Sequence, residues 1–359
     1  MRGGNFYKKI QRDLWAFFSV TYITLLILVA VFAYQIAPDN TTNANQMHLS
    51  IHSKSPGFRT DMLLLRTNDC LPSKPTLFKG NLNKTTEIPI QAYQVKSDGV
   101  AIQPYGSPND YFEFIDAARL QSPFSADNFK EHHITNKLFL LGTDKYGRDL
   151  LSRLIVGSRI SLSIGFIAVF ISLIIGVILG ATAGFFGGYI DKIIVWLINV
   201  FWSIPTLLMV IAITLALGRG YWQVFIAVGL TMWVEVARVV RGQFITLKEQ
   251  TFIQAAHTLG YGKIRIIWHH ILPLVVPPLI VISAANFASA ILIESGLSFL
   301  GIGAQPPVPS WGGMVKDHFR YLLLGKPYLT ILPGLAIMSL VLAFMTLGNS
   351  LRDILDVKN

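Results

Sequence analysis

The segment Gly142–Asp149, with the sequence GTDKYGRD, differs at two positions from the phosphate-binding pattern G-x-x-x-x-G-K-[ST]. Such a loop holds nucleotide phosphates with backbone N–H groups, a lysine on the terminal phosphates and a hydroxyl on magnesium. Arg148 and Asp149 occupy the lysine and hydroxyl positions here, and together with Asp144 the segment carries two carboxylates that would repel a triphosphate. The segment therefore predicts a turn that caps and positions the next helix, rather than a nucleotide site.

Other residues with metal-binding or nucleophilic chemistry are sparse. The histidine pairs His132–His133 and His269–His270 lack partner carboxylates at metal-ligand spacing, so we expect them in solvated loops or interfaces. A single cysteine, Cys70, excludes an intramolecular disulfide framework. The sequence has no dinucleotide fingerprint, zinc-protease motif or G-x-S-x-G elbow. We predict a non-enzymatic chain that binds no cofactor or metal of its own.

The composition indicates a membrane protein. Hydrophobic residues make up 52% of the 359 positions and charged residues 14%, far from the balance of a soluble domain. A span needs about 20 apolar residues to cross roughly 30 Å of hydrocarbon, and six uncharged stretches are candidates. The fourth stretch, residues 220–234, is short, but the helix that it predicts extends to residue 242. We predict an all-α polytopic protein with six transmembrane helices in the stretches 14–38, 160–190, 193–218, 220–234, 271–293 and 327–351.

Basic residues near the span ends predict the orientation of the chain. The first span is too long for a signal-peptide core and follows Arg2, Lys8, Lys9 and Arg12, which predicts an uncleaved helix with a cytoplasmic N-terminus. Six spans then make residues 238–270, with five Lys or Arg and one Glu, and the C-terminus cytoplasmic as well. The same topology places four basic residues outside the cell, against the rule: Lys145, Arg148, Arg153 and Arg159. Asp144 and Asp149 offset part of their positive charge.

These features divide the chain into three parts. Residues 1–38 are the cytoplasmic N-terminus and first helix, and residues 141–359 are the transmembrane core with a cytoplasmic loop at 242–273. Residues 39–140 form an extracytoplasmic loop region that is rich in Asn, Ser, Thr and Pro. This region has too few continuous apolar residues to predict an independent domain.

The cytoplasmic loop predicts a helix, a tight turn and a second helix. Thr251 and Gln254 match a capping box, so a helix begins at Phe252. Gly260 is a left-handed stop, and a second helix runs from Lys263 until Pro273 breaks it. Because Ala255 and Ala256 carry almost no side chain, a groove of another protein can approach this helix closely. The alternative is a helix that lies on the membrane interface or packs against the chain's own spans.

This loop resembles a known element. Gln254-Ala-Ala, followed by Gly260 and by Leu272-Pro273, is similar to the EAA loop of binding-protein-dependent ABC importer permeases, which docks into the ATP-binding subunit. Segments 141–162, 202–213, 237–243 and 294–312 narrow the resemblance to the C-type permease subunit of dipeptide, oligopeptide and nickel importers. Two features depart from that family: Gln254 stands where Glu is usual, and residues 39–140 exceed the usual loop length.

The resemblance implies a type I importer permease with a MetI-like core in the bacterial inner membrane. Such a subunit forms half of a translocation path for peptides, or alternatively for nickel or another small solute. It implies a homologous second permease, two cytosolic subunits that bind ATP and magnesium, an extracytoplasmic binding protein and the lipid bilayer as partners, with no nucleic acid. The implied docking residues are Phe252, Gln254, Ala255, Ala256, Gly260, Leu272 and Pro273.

Two membrane residues are candidates for the path or a gate. Glu294 lies at the outer end of the fifth span, where a structural pair with a basic group is the simpler alternative. Pro205 in the third span predicts a kink. Glu235 lies three residues before Arg238, which predicts a local ion pair. The second span carries small residues that predict close helix packing: Gly165, Gly176, Gly180, Ala183 and Gly184.

Two other classes of function stay open at the level of sequence. An ion-driven secondary transporter requires midplane ionisable residues or paired broken helices, and transport without any ATPase partner would favour it. A membrane-anchored binding or signalling protein would be built around residues 39–140. Tight ligand binding by that loop alone, with replaceable spans, would favour this last class.

Overall fold

The computed structural model describes residues 13–65, 79–81, 86–108, 111–120, 128–218 and 220–355. Arg2, Lys8, Lys9, Arg12 and Cys70 lie outside these residues. The helices are α1 Leu14–Val31, α2 Ala33–Ile36, α3 Phe129–His133, α4 Leu150–Phe186, α5 Gly188–Ser203, α6 Thr206–Leu217, α7 Tyr221–Lys248, α8 Thr251–Thr258, α9 Lys263–Ile266, α10 Leu272–Leu300, α11 Trp311–His318 and α12 Tyr328–Leu355.

Five helical segments are long and apolar enough to cross a membrane, and a bent pair makes the count up to six. The five contain α1, α4, α7, α9 joined to α10, and α12. The bent pair is α5 and α6, which meet at 93°. The prediction of an all-α polytopic core is confirmed, and so is the kink at Pro205, which precedes the first residue of α6. The second span begins at Leu150 rather than at Ile160, because Asp149 caps it ten residues earlier.

An antiparallel sheet of five strands follows α2. It lies in the region 39–140, for which the sequence predicts no independent domain. The strands are β1 Phe58–Leu65, β2 Thr86–Lys96, β3 Gly99–Pro104, β4 Glu113–Asp116 and β5 Ile134–Phe139, and their order is β4-β3-β2-β1-β5. The strands are only four to eleven residues long, so none of them gives a long apolar stretch in the sequence. The sheet nevertheless has its own core, formed by Leu63, Leu65, Ile90, Val100, Ile102, Ile115, Leu120 and Phe129.

The chain divides into two compact units. The first lies within Met1–Ile27, Ile160–Gln305 and Gly334–Asn359, and it holds two large apolar clusters built from α4, α7 and α10. The second lies within Leu28–Arg159 and Pro306–Pro333 and holds the sheet.

Small residues bring α4 into close contact with α7; the sequence predicts close packing of α4 but does not identify its partner. A Cβ atom on Gly176 would lie 2.5 Å from the Cβ of Val236, and one on Gly180 would lie 2.5 Å from the Ala237 carbonyl oxygen. A Cβ atom on Gly184 would lie 2.6 Å from the Cβ of Phe244. Real side chains do not approach this closely, so the separation of the two helices depends on these glycines. On α10, Phe287 fills the corresponding space beside Gly165.

We expect Gly180→Ala to lower the thermal stability of the detergent-solubilised chain. Alanine normally stabilises a helix over glycine by about 0.5–1 kcal/mol, but here its methyl group would strike backbone and cost about 1–3 kcal/mol through overpacking. Gly334→Ala is the matched control, since Gly334 also lies within a helix and nothing lies within 4 Å of its added methyl group. Melting temperatures followed by size-exclusion chromatography measure both changes, and equal values would contradict the packing account.

Candidate functional site

The short helix α8 lies between α7 and α9, with one face buried and the opposite face exposed. Ile253 and Ala256 are 0% and 4% exposed. They belong to an apolar cluster with residues of α4, α7, the segment after α8, and α10: Ala181, Phe185, Val236, Val240, Phe244, Ile266, Ile271 and Val275. The helix is therefore anchored to the ends of three spans.

The predicted capping box is wrong. The helix begins at Thr251 with Gln250 in the N-cap position and no side-chain cap. Gln254 instead donates from its amide Nε2 to the backbone oxygen of Glu249 at 3.2 Å. The helix start forms without the box because Ile253 and Gln254 donate their N–H groups to the carbonyl of Gln250.

Gly260 ends α8 as predicted. Its φ of +78° lies in the left-handed region that only glycine adopts without strain. The Gly260 N–H donates to the His257 carbonyl at 3.0 Å, and the Tyr261 N–H donates to the Ala256 carbonyl at 3.1 Å. These two bonds form a Schellman motif, which satisfies the carbonyl groups that a helix end leaves open. The turn is therefore fixed by backbone hydrogen bonds as well as by packing.

The prediction that Pro273 breaks the second helix is wrong. A π-helical turn, Ile267–Ile271, joins α9 to α10, and Pro273 lies in the first turn of α10. In a π turn each hydrogen bond spans one residue more than in an α-helix. The turn therefore shifts the hydrogen-bond pattern just before Pro273, which has no N–H to donate. The segment from Lys263 to Leu300 consequently continues from the loop into the membrane.

The outer face of α8 and the segment after it expose large apolar side chains. Phe252 is 46% exposed and Leu259 is 72% exposed, with Ala255 between them on the same face. Ile264 and Trp268 are 74% and 63% exposed. We call these five residues the outer patch. Exposed apolar groups of this density mark an interaction surface.

The predicted docking residues differ in their exposure. Phe252, Gln254, Ala255, Gly260 and Pro273 are exposed, while Leu272 is half-buried. Ala256 is buried within the chain's own core, so the expectation that it offers a surface to another protein is wrong. Sequence analysis missed Leu259, Ile264 and Trp268, which are exposed in the structure.

The GTDKYGRD segment forms a buried ionic turn. Asp144, fully buried, accepts hydrogen bonds from the Tyr146 N–H at 2.8 Å, the Arg148 N–H at 3.0 Å and the Arg148 Nε at 2.6 Å. The Arg153 Nε lies 3.7 Å from the same carboxylate. Gly147 has a φ of +73° and lies against the backbone of His48, where no side chain fits.

The end of this segment caps α4, as predicted. Asp149 accepts the Ser152 N–H at 2.8 Å and also binds the Ser152 hydroxyl. Burial raises the pKa of Asp149, although the bonds from Ser152 oppose this, and the net direction is upward. The strand β5 precedes the turn, as a strand precedes a phosphate-binding loop. Here, however, Arg148 is paired with Asp144, and the start of α4 is capped by Asp149.

The four basic residues that oppose the orientation rule have local partners. Arg148 and Arg153 share Asp144. Lys145 lies 3.1 Å from Asp317, and the Arg159 guanidinium lies 4.9 Å from the ring centre of Tyr34. Each of these four charges therefore has a partner within the chain.

The two predicted path residues differ in their surroundings. Glu294 is 1% exposed, and its Oε1 accepts the Ser298 hydroxyl at 2.6 Å. Pro205 lies at the bend between α5 and α6, beside a cavity of about 220 Å³ whose walls come from α5, α6, α7 and α10.

The predicted ion pair between Glu235 and Arg238 is wrong. The guanidinium of Arg238 lies 3.5 Å from the ring centre of Trp202, because cation–π contact with a tryptophan is favourable beside an apolar phase. Glu235 faces the cavity instead.

The histidine pairs have aromatic neighbours. His133 is fully buried with its ring 5.0 Å from that of Phe129, and His270 stacks on Tyr261 at 5.7 Å. Among the residues that the structure describes, no group of three or more His, Cys, Asp or Glu side chains could hold a metal ion.

Comparison with known proteins gives a consistent result. Residues 176–358 match the family model described as "Binding-protein-dependent transport system inner membrane component". The chain is similar to the glutathione transport system permease protein GsiD of Escherichia coli, with 39% identity over 245 residues, 67% of this chain and 80% of that protein. The corresponding protein of Shigella flexneri is 41% identical over the same shares. A structure of the MetNI methionine ABC transporter covers 57% of this chain and 97% of its own, with 18% identity and a TM-score of 0.46.

Proposed function

The chain belongs to the family of binding-protein-dependent transport system inner membrane components and is therefore a non-catalytic permease subunit of an ABC importer; we propose that it forms half of a translocation path for peptides. The similarity to permeases named for glutathione, a tripeptide, supports this substrate class over nickel or another small solute. In this proposal an extracytoplasmic binding protein delivers the peptide, and a homologous permease forms the other half of the path.

We assign α8 and the outer patch as the surface that meets a cytosolic ATP-binding subunit, which itself binds ATP and magnesium. The observation that carries this assignment is the two-sided burial of α8. Ile253 and Ala256 hold the helix in a core shared with α4, α7 and α10, whereas Phe252, Ala255 and Leu259 are exposed. A helix docked by that face can transmit displacement of the ATPase to three spans at once, because packed cores move as units.

An ion pair strengthens this mechanical link. The Arg241 guanidinium on α7 binds the Asp191 carboxylate on α5 through two bonds of 2.5 and 2.7 Å. Paired N–H donors on a carboxylate fix orientation as well as distance. Movement of α7 therefore carries α5, whose far end is the bend at Pro205. Pro205 and Glu294, one residue beyond the cavity-lining Ile293, are our candidates for the path or a gate.

The orientation follows from this assignment. If α8 meets a cytosolic subunit, the loop 242–273 is cytoplasmic, and six spans make both chain termini cytoplasmic. Residues 39–140, including the sheet, are then extracytoplasmic. This is the side on which a binding protein delivers substrate.

Reconstitution of the full transporter tests the proposal. Proteoliposomes that contain both permeases and the ATP-binding subunits, supplied with the binding protein, are expected to accumulate glutathione or dialanine when ATP is present. A catalytically inactive ATP-binding subunit should reduce uptake to the leak of empty liposomes. Uptake driven equally well by an ion gradient without ATP would contradict the proposal, and accumulation of ⁶³Ni²⁺ in place of peptide would change its substrate.

A further inference from the structure

We propose that Glu235 forms a binding site inside the translocation path for a cationic side chain of the transported peptide, such as the ammonium group of a lysine. This inference rests on the peptide-permease function proposed above and adds a specificity residue to it. It starts from the position of a carboxylate near the middle of α7, one of the helices apolar enough to cross a membrane. A carboxylate on such a helix is costly unless a cation or water compensates it.

No neighbour within the described chain supplies that compensation. Arg238, one turn away, lies on the ring of Trp202, and the structure gives Glu235 no ion pair or hydrogen bond among the residues it describes. The side chain is exposed rather than folded into a packed contact. It lines the cavity of about 220 Å³.

The cavity walls have the chemistry of a site for a hydrogen-bond donor with positive charge. Glu235 is the charged residue on these walls, and three hydroxyl groups, from Thr206, Thr231 and Ser289, accompany it. The Thr231 hydroxyl donates to the Val228 carbonyl at 2.9 Å, so its oxygen keeps only acceptor capacity. An ammonium group has three donors and no acceptor, which matches one carboxylate and neighbouring hydroxyl oxygens.

The bend between α5 and α6 gives substrate access to this carboxylate. Phe201 and Trp202 end α5, Thr206 begins α6, and both sets of residues line the cavity with Glu235. A break of 93° removes the continuous helix that would otherwise cover α7 here. Irregular backbone at membrane depth is tolerated where it borders a cavity.

The test compares uptake of Ala-Lys, Ala-Gln and Ala-Glu by the reconstituted transporter with wild-type permease or with Glu235→Gln. Each rate is expressed as the ratio of variant to wild type for the same peptide, so the preference of the binding protein cancels. We expect the ratio for Ala-Lys to fall about tenfold and that for Ala-Glu to stay near one, because only the cationic side chain loses a charge partner. Glu235→Asp should restore part of the Ala-Lys uptake, and Glu113→Gln, an exposed carboxylate on β4, is the matched control.

The outcomes separate this inference from the function on which it rests. Equal losses for all three peptides, or no loss, would overturn the role of Glu235 and leave the peptide permease intact. Failure of Glu235→Gln to co-purify with the second permease would overturn it too, because the carboxylate would then pair with the partner subunit. Absence of ATP-driven uptake of every peptide by the wild type would overturn the proposed function and this inference together.

Discussion

Replacing Ala255 with arginine is expected to abolish ATP-driven uptake while the permease stays folded in the membrane. Ala255 lies on the exposed face of α8, between Phe252 and Leu259, and presents only a methyl group there. An arginine at the centre of a closely packed interface adds bulk and buries a charge without a partner, and changes of this kind cost several kcal/mol of binding energy. Because about 1.4 kcal/mol corresponds to a tenfold change in affinity, we expect at least about a hundredfold loss of ATPase binding.

Co-purification of the ATP-binding subunits with tagged permease measures this loss, and peptide uptake measures its consequence. The control is Ala118→Arg, an identical change at an exposed alanine in the sheet-bearing unit. It should leave both readouts unchanged. Ala256→Arg provides a contrast, because Ala256 is buried in the chain's own core and its replacement should also reduce the amount of folded permease. Full uptake by the Ala255→Arg variant would exclude α8 as the docking helix.

The second large effect concerns stability. We expect Asp144→Asn to lower the free energy of unfolding by about 3–5 kcal/mol, because removal of one charge from a buried group leaves the remaining charges uncompensated. Asp144 is fully buried, and Arg148 and Arg153 are 2% and 5% exposed. The asparagine retains a carbonyl oxygen for the N–H groups of the turn, so the change removes charge while nearly preserving shape.

Asp317→Asn is the matched control for this prediction. Asp317 also pairs with a basic residue, Lys145, but the two side chains are 29% and 24% exposed. Partly exposed pairs contribute about 0–1 kcal/mol, so the melting temperature should change little. A second variant, Asp144→Asn combined with Arg148→Met, should recover part of the loss because it removes one of the uncompensated cations. Equal effects of Asp144→Asn and Asp317→Asn would contradict the account of a buried ionic turn.

The sequence was sufficient for the membrane spans and for the helix and tight turn that follow α7. Long uncharged stretches identify spans directly, since the bilayer imposes a minimum apolar length. Gly260 was identifiable as a helix stop because few residues adopt its backbone conformation. Glycine spacing indicated that α4 packs closely against a neighbouring helix, but it did not indicate which one.

The errors came from interactions that depend on tertiary context. Gln254 has the right spacing for a capping box, but its amide binds the Glu249 carbonyl. Glu235 and Arg238 have the right spacing for an ion pair, but the nearby Trp202 offers Arg238 a better neighbour. Spacing predicts which local contacts are possible, and packing with distant residues decides which one forms.

The sheet was beyond prediction for a different reason. Its strands are short, and β1 pairs with both β2 and β5, the latter separated from it by more than sixty residues of sequence. Segments of four to eleven residues give a much weaker signal than a membrane span. The exposed side chains of Leu259, Ile264 and Trp268 were also invisible, since hydrophobic residues in a membrane protein are expected to be buried in protein or lipid.

The central claim is that α8 is covered by an ATP-binding subunit, and the labelling rate of a small cysteine on that helix tests it most directly. In a Cys70→Ser background, Ala255→Cys should react readily with a maleimide in the isolated permease. In the assembled transporter its rate should fall at least about tenfold, while the rate of Ala118→Cys should stay constant. Equal labelling of position 255 in the isolated permease and in a transport-competent complex would contradict the account.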